Sequence, residues 1–281
     1  CGIKCDLKYM VEERKEFLEE VDAQKDEPYV RPELIDKSHF PREQRLNTEV
    51  GFVYRMEVSK MGSISFISHL DLQKIVARIF KRAEIVYLYS QGFNPKPLIA
   101  FGPALSLGIS SLSEFIDIRV PTQWSDVNEL KDRLNIHSEK GISFKNIFLI
   151  DKKMDSVQKA THSFSYFVPL EINSVNDLQN KLDYFWAQES FTIPVYNHKK
   201  RIHTTKEIRQ KMLGFNIGTL DVAEQDKIIL GEVYPIHLDQ GLYIDVKVED
   251  GASLKPQEIQ EALVSIGINA YKPIKLKTNY L

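Results

Sequence analysis

One stretch, Ile67 to Leu107, constrains this chain more than any other. Its first part is written as a helix with a marked start. Ser68 is a natural N-cap, Asp71 stands three residues on as the acidic member of a capping box, and Ile67 and Leu72 are placed to form a hydrophobic staple. Leu72, Ile75, Val76, Ile79, Phe80 and Ala83 recur at helical spacing and define one apolar face. Lys74, Arg78, Lys81 and Arg82 make another face basic, which reads as a solvated surface or as an edge that meets an anion. The second part, Tyr89-Ser90-Gln91-Gly92-Phe93-Asn94-Pro95-Lys96-Pro97, differs in kind. Glycine and two prolines set its backbone, and Tyr, Ser, Gln, Asn and Lys give it polar groups. A loop that only connects would be shorter and less specified.

Outward from that stretch the pattern is strand, helix, strand, strand, helix, strand. Phe52–Lys60 alternates apolar and polar residues, Val86 to Tyr89 starts a strand, and Leu98 to Phe101 is extended. Phe115 to Val120 alternates again, Trp124 to Leu134 reads as a helix capped by Ser125, and Ile142 to Ile150 is a strand. The order then recurs. Phe164 to Leu170, Phe191 to Tyr196, Ile208 to Ile217, Tyr243 to Val248 and Ala270 to Leu276 read as extended, with helices over Val175 to Trp186 and Pro256 to Ile266. The expected fold class is α+β: two ferredoxin-like (βαββαβ) halves, 51–157 and 158–281, behind an N-terminal helical arm and linker over 1–50. The repetition is one of pattern and not of sequence.

Composition removes several classes of function. With 281 residues and a net charge of −2, no global field draws the chain to nucleic acid, and any basic site is local. No apolar run reaches the ~20 residues that span a bilayer. The two cysteines, Cys1 and Cys5, exclude a disulfide framework, and a reducing, cytoplasmic setting is expected. Their C-x3-C spacing suggests an iron–sulfur cluster, but position 8, where a third cysteine would stand, is Lys8. Two thiolates do not complete a four-ligand site, so no metal is expected within this chain. The first residue is Cys and not Met, which reads as part of a longer reading frame.

Local chemistry concentrates in two places. Between His198 and Lys211 six Lys or Arg residues, Lys199, Lys200, Arg201, Lys206, Arg209 and Lys211, stand against Glu207 alone. That run suits a phosphate backbone, a phosphorylated metabolite or an acidic partner, or it is a solvated hairpin. It lacks the interleaved aromatics of single-stranded RNA readers. His69 opens the capped helix, where it either faces a ligand or lies on the surface. Nucleophile elbow, Walker loop, dinucleotide fingerprint and His-Glu-x-x-His motifs are absent. Glu57, Asp117 and Glu114 are open acid–base candidates, and no spacing singles one out.

The segments Phe66-Ile67-Ser68-His69-Leu70-Asp71-Leu72, Tyr89 to Pro97 and Ala104-Leu105-Ser106-Leu107-Gly108 resemble the bacterial radical SAM-linked family of unknown function, over roughly residues 52–215. A His often stands in that family where this chain has Lys96. The Lys206-Glu207-Ile208-Arg209 segment resembles the family's Asp-Ile-Arg signature, with Glu207 in place of Asp. Members are free-standing or fused behind a radical S-adenosylmethionine enzyme. Cys1-Gly2-Ile3-Lys4-Cys5-Asp6 looks like the Cys-Gly-x-Cys-Asp tail of that upstream part, with one residue more.

The resemblance implies an accessory C-terminal domain that binds or presents substrate and is not catalytic alone. S-adenosylmethionine, a [4Fe-4S] cluster and cobalamin would belong to an upstream or partner radical SAM part. The expected substrate-binding residues are His69, Tyr89, Ser90, Gln91, Asn94, Lys96, Lys199, Lys200, Arg201, Lys206 and Arg209, gathered in one groove between the halves. The competing expectation is an RNA-binding module, for tRNA or rRNA, that uses the basic hairpin. A stand-alone enzyme is the third.

Overall fold

The computed structural model describes residues 51–91, 93, 95–172, 174–197, 201–235, 239–249 and 252–280. The expected N-terminal arm, with Cys1 and Cys5, lies outside them, as do Asn94, Lys199 and Lys200.

The first strand set is built from β1 (Phe52–Lys60), β2 (Ile99–Phe101), β3 (Ser111–Val120) and β4 (Ile142–Ile150). Helices α1 (His69–Arg82) and α2 (Val127–Ile136) belong to it. The second set contains β5 (Thr161–Pro169), β8 (Met212–Thr219), β9 (Gln240–Lys247) and β10 (Ile274–Tyr280), with α4 (Val175–Ala187) and α6 (Pro256–Ser265). A short helix, α3 (Val157–Ala160), leads from one set to the other. The hairpin β6 (Thr192–Asn197) and β7 (Ile202–Glu207) forms a sheet of its own, and α5 (Glu224–Leu230) lies between β8 and β9.

The eight strands of the large sheet run β4-β1-β3-β10-β5-β9-β8, with β2 added on β3. Within each set the spatial order is fourth, first, third, second strand, and every pair is antiparallel. The sets meet where β10 runs parallel to β3 at one register pair, Lys275 and Ser111. The fold is thus mixed α+β around one large mixed sheet.

The sequence explains why α1 begins where it does. Ser68 Oγ accepts the Asp71 N–H at 3.1 Å, Leu72 is buried and Ile67 half-buried. The reciprocal half of the capping box differs from expectation. Asp71 takes the Ser68 hydroxyl at 2.7 Å, since a carboxyl one methylene shorter than glutamate stops short of the Ser68 N–H. Leu72, Val76, Ile79 and Phe80 pack on Tyr54, Met56, Val58, Ile116 and Ile118 of the sheet. The basic face of α1 is exposed, with Lys74 bound to Asp71 and Arg82 to Glu139. A parallel core in the second set joins Phe164, Tyr166 and Val168 to Leu178, Leu182, Ile259 and Leu263.

Several elements differ from the sequence reading. Asp126 and not Ser125 caps α2, its carboxylate accepting the Asn128 and Glu129 N–H groups at 2.8 and 3.1 Å. Val86 to Tyr89 forms no regular strand. Leu88 N–H bonds to the Arg119 carbonyl, and Tyr89 makes only an isolated bridge to Pro97. Pro95 and Pro97 have no N–H with which to extend a ladder. Ile208 to Ile217 splits into a 3-10 turn, Arg209–Lys211, followed by β8.

The feature that positions the site is a fork on one edge of β3. Its C-terminal part pairs with β2 through Ile116 and Ile118, whereas Ser111 near its start pairs with β10. Helix α3 wedges into the opening, where Val157 N–H reaches the Asp117 carboxylate at 3.3 Å.

Candidate binding site at the fork of the central sheet

The expected site residues that the structure describes fall in three separate surroundings. The 89–97 turn is held by its own backbone: Ser90 N–H donates to the Lys96 carbonyl at 2.8 Å, and Lys96 N–H to Ser90 Oγ at 2.9 Å. Tyr89 stacks near Tyr87 at 5.3 Å, Gln91 and Lys96 are exposed, and Phe93 is fully so. In the basic segment, Arg201 sits exposed just before β7 with φ 53°. Lys206 is engaged with the buried Glu258 carboxylate of α6 at 2.6 Å. Arg209 lies 3.6 Å over the Trp186 ring and donates twice to the Trp186 carbonyl. Both cations thus fasten the segment to α4 and α6. Among the described residues of the expected set, only His69 reaches the fork.

His69 is half-buried at the start of α1, with its ring edge-on to Phe101 at 5.7 Å. It lines a cavity of about 10 Å³, with Ser59, Lys60, Leu72 and Glu114 among its walls. That is room for about one water. Lys60 ends β1 beyond a register shift between Val58 and Lys60 and is 2 % exposed. Its Nζ donates to the Ile67 carbonyl at 3.1 Å. Ser59 Oγ is buried and has no hydrogen-bond partner among the described residues.

On the other side of Glu114 stands Lys275, also 2 % exposed, with Nζ 2.6 Å from Glu114 Oε1. No donor is aligned on that oxygen for a hydrogen bond, so Coulomb attraction dominates the contact. Lys275 Nζ also lies 4.5 Å from the centre of the Phe164 ring. Its register partner on β5 is Tyr166. Tyr166 is 2 % exposed, and no described residue hydrogen-bonds its hydroxyl. Lys275 and Tyr166 line a second cavity, of about 180 Å³, together with Ser106, Gln158, Ser253 and Lys255. Glu114 and Lys275 thus tie β3 to β10 between the two cavities.

The electrostatics follow from two ammonium groups around one carboxylate in a place with little water. Burial pushes Lys60 below its ordinary range, and Glu114 opposes that shift. Burial pushes His69 down too; Glu114 pulls it back and Lys60 adds to the lowering. His69 is therefore a neutral imidazole at pH 7. The Tyr166 phenol is pushed far up, first by burial and then by the Glu114 charge, and remains a donor at any physiological pH. The arrangement offers O–H and N–H donors to a cavity with no acidic residue in its wall. On the opposite face, buried Arg55 grips Asp117 with two bonds of 2.8 and 2.9 Å and meets the Tyr280 ring at 5.0 Å. That pair pins β1 to β3 and to the end of β10.

Sequence reasoning named Glu114 without a reason to prefer it and passed over Lys60, Tyr166 and Lys275. One signal was readable: Glu114 shares the register of Ile116 and Ile118, which places a carboxylate on the buried face of a strand. Lys275 gave no such sign, because it alternates with Ile274 and Leu276 and so reads as facing away from them. Among the described residues, no group of three or more His, Cys, Asp or Glu is arranged to hold a metal ion. Nor is any helix there long and apolar enough to cross a membrane.

No curated protein matches the chain. The solved structure described as "Crystal Structure of a Cbf5-Nop10-Gar1 Complex" is similar at 10% identity and a TM-score of 0.35, over 79% of this chain and 48% of that one. The chain therefore spans about half the length of that structure's chain, and a likeness of this degree carries no argument. The family described as "Uncharacterized protein conserved in bacteria (DUF2344)" matches residues 53–264, which include both strand sets up to the last turn of α6. With three quarters of its length matched, the chain belongs to that bacterial family.

Proposed function

We propose that this chain is the substrate-holding part of a radical S-adenosylmethionine enzyme, with the fork of β3 as the place where substrate is held. Each strand set is read as one ferredoxin-like unit, its four strands in the order fourth, first, third, second. The resemblance of the 66–72, 89–97 and 104–108 segments to the radical SAM-linked family supports the enzymatic context. The observation that carries the reading is the buried cluster of Glu114, Lys275, Lys60 and Tyr166 beside an open cavity where the two sets join. Charged and polar groups concentrated in a cleft mark a functional site more often than a packing accident. S-adenosylmethionine, the [4Fe-4S] cluster and cobalamin are assigned to the upstream or partner part. The cytoplasm is the compartment that suits such a system.

The test is reductive cleavage of S-adenosylmethionine by the anaerobically prepared radical SAM protein encoded with this chain. It is measured with and without the chain and with a dialysable cell extract. The expected result is 5′-deoxyadenosine release that requires chain and extract together and falls at least tenfold with Tyr166→Phe. Equal release without the chain overturns the reading. Stimulation that a macromolecular extract provides, and that ribonuclease abolishes, would favour the RNA-binding alternative.

A further inference from the structure

Four features of the larger cavity bear on what it takes. Its wall carries Lys275, Lys255, Tyr166, Ser106, Ser253 and Gln158, and no carboxylate. Tyr166 is almost wholly buried as a residue, and its side chain lines the cavity with no hydrogen bond from its hydroxyl to any described residue. A hydroxyl that faces a cavity and is not bonded by the protein is free to donate to a ligand. Lys275 gives one contact to Glu114 and has three N–H donors, so it retains donors for a second acceptor. Finally, two buried lysines, Lys60 and Lys275, stand near Glu114, whose ion pair is with Lys275 alone. Buried charges are normally matched.

We propose that this cavity is an oxyanion site, in which a carboxylate or phosphate group of the substrate is bound by Lys275, the Tyr166 hydroxyl and Lys255. The inference rests on the fork being the substrate site and adds the chemical class of the group held there. Bound between Lys275 and Tyr166, the anion takes up the donors that Glu114 leaves free, and Glu114 then serves as the counter-charge of Lys60. A volume of about 180 Å³ holds the anionic group and a few attached atoms, so the remainder of the substrate extends outward past Lys255, which is exposed.

The experiment is equilibrium dialysis of the full chain against radiolabelled inorganic phosphate and, separately, acetate. Saturable binding of one equivalent is expected, weakened about tenfold by Tyr166→Phe and about threefold by Lys255→Gln, as for loss of one charge-assisted hydrogen bond and of one exposed cation. Binding of phosphate alone assigns a phosphate ester, and binding of both anions assigns a carboxylate-sized site; either supports the proposal. Circular dichroism checks that Tyr166→Phe is folded; if it is not, Lys255→Gln carries the comparison. Absence of saturable binding of either anion, or binding unchanged in the folded variants, overturns the proposal. The measurement uses this chain alone. A negative result together with intact stimulation of the radical SAM protein therefore removes the oxyanion site and leaves the substrate-holding role standing.

Discussion

Replacing Glu114 by Gln removes the carboxylate paired with Lys275 at 2.6 Å, whose charge Lys60 also feels, and leaves the buried Lys275 ammonium without its partner. The two side chains of the pair are 3 % and 12 % exposed, so solvent screens them little. Breaking a buried pair from one side costs about 3–5 kcal/mol, since the remaining charge is uncompensated. Lys275→Met is the informative contrast. There Glu114 keeps Lys60, and the methionine chain fills most of the volume of the lysine stem on Phe164. The loss is then about 1.5–3 kcal/mol, that of one hydrogen-bond-like contact to a charged group. The double variant Glu114→Gln, Lys275→Met should recover part of the first loss. Urea unfolding followed by far-ultraviolet circular dichroism measures all three, with an unchanged slope as the check that the same surface is exposed. A Lys275→Met variant less stable than Glu114→Gln, or a Glu114→Gln variant within about 0.5 kcal/mol of the parent, would refute the buried-pair reasoning.

Further outcomes follow from other parts of the structure. Burial holds the His69 value below 6.5, so as pH falls the unfolded chain takes the proton first; stability drops below pH 6.5 and levels off beneath the folded value. His69→Gln should flatten that part of the profile in thermal melts, and an identical profile in both proteins would contradict the assignment. Asp117→Asn leaves the Arg55 guanidinium buried without its counter-charge and should cost about 3–5 kcal/mol in urea unfolding. Gly141 has φ +95° and an added Cβ would stand 2.3 Å from the Met61 carbonyl oxygen. Gly141→Ala should therefore lose at least about 1–3 kcal/mol from the backbone conformation alone, and a neutral result in the same assay would count against that turn geometry.

How much of this was legible in the residues can be argued from particular ones. Helix α1 announced its start because Ser68, Asp71, Ile67 and Leu72 act within a few residues of one another. Strand β3 was readable because Ile116, Ile118 and Val120 must share a face. Helix α5 was not, since Ala223 offers no side-chain cap and the seven residues Glu224–Leu230 are too few to show a period. Strand β7 was hidden for another reason: Ile202–Glu207 is largely exposed, so no apolar alternation marks it. The site itself depended on pairing. Nothing near Glu114 in the sequence announces Lys275, because the two meet only when β10 of the second set joins the edge of β3. In the same way Lys206 and Arg209 read as free cations, because Glu258 and Trp186, which engage them, lie on other elements.

Amide hydrogen exchange, recorded on the chain with and without a dialysable cell extract, tests the proposed location of the substrate most directly. The account predicts slower exchange in the segments around Ser106 and around Ser253 to Lys255, which line the larger cavity. Unchanged exchange there, with protection confined to the 201–211 segment, would contradict it.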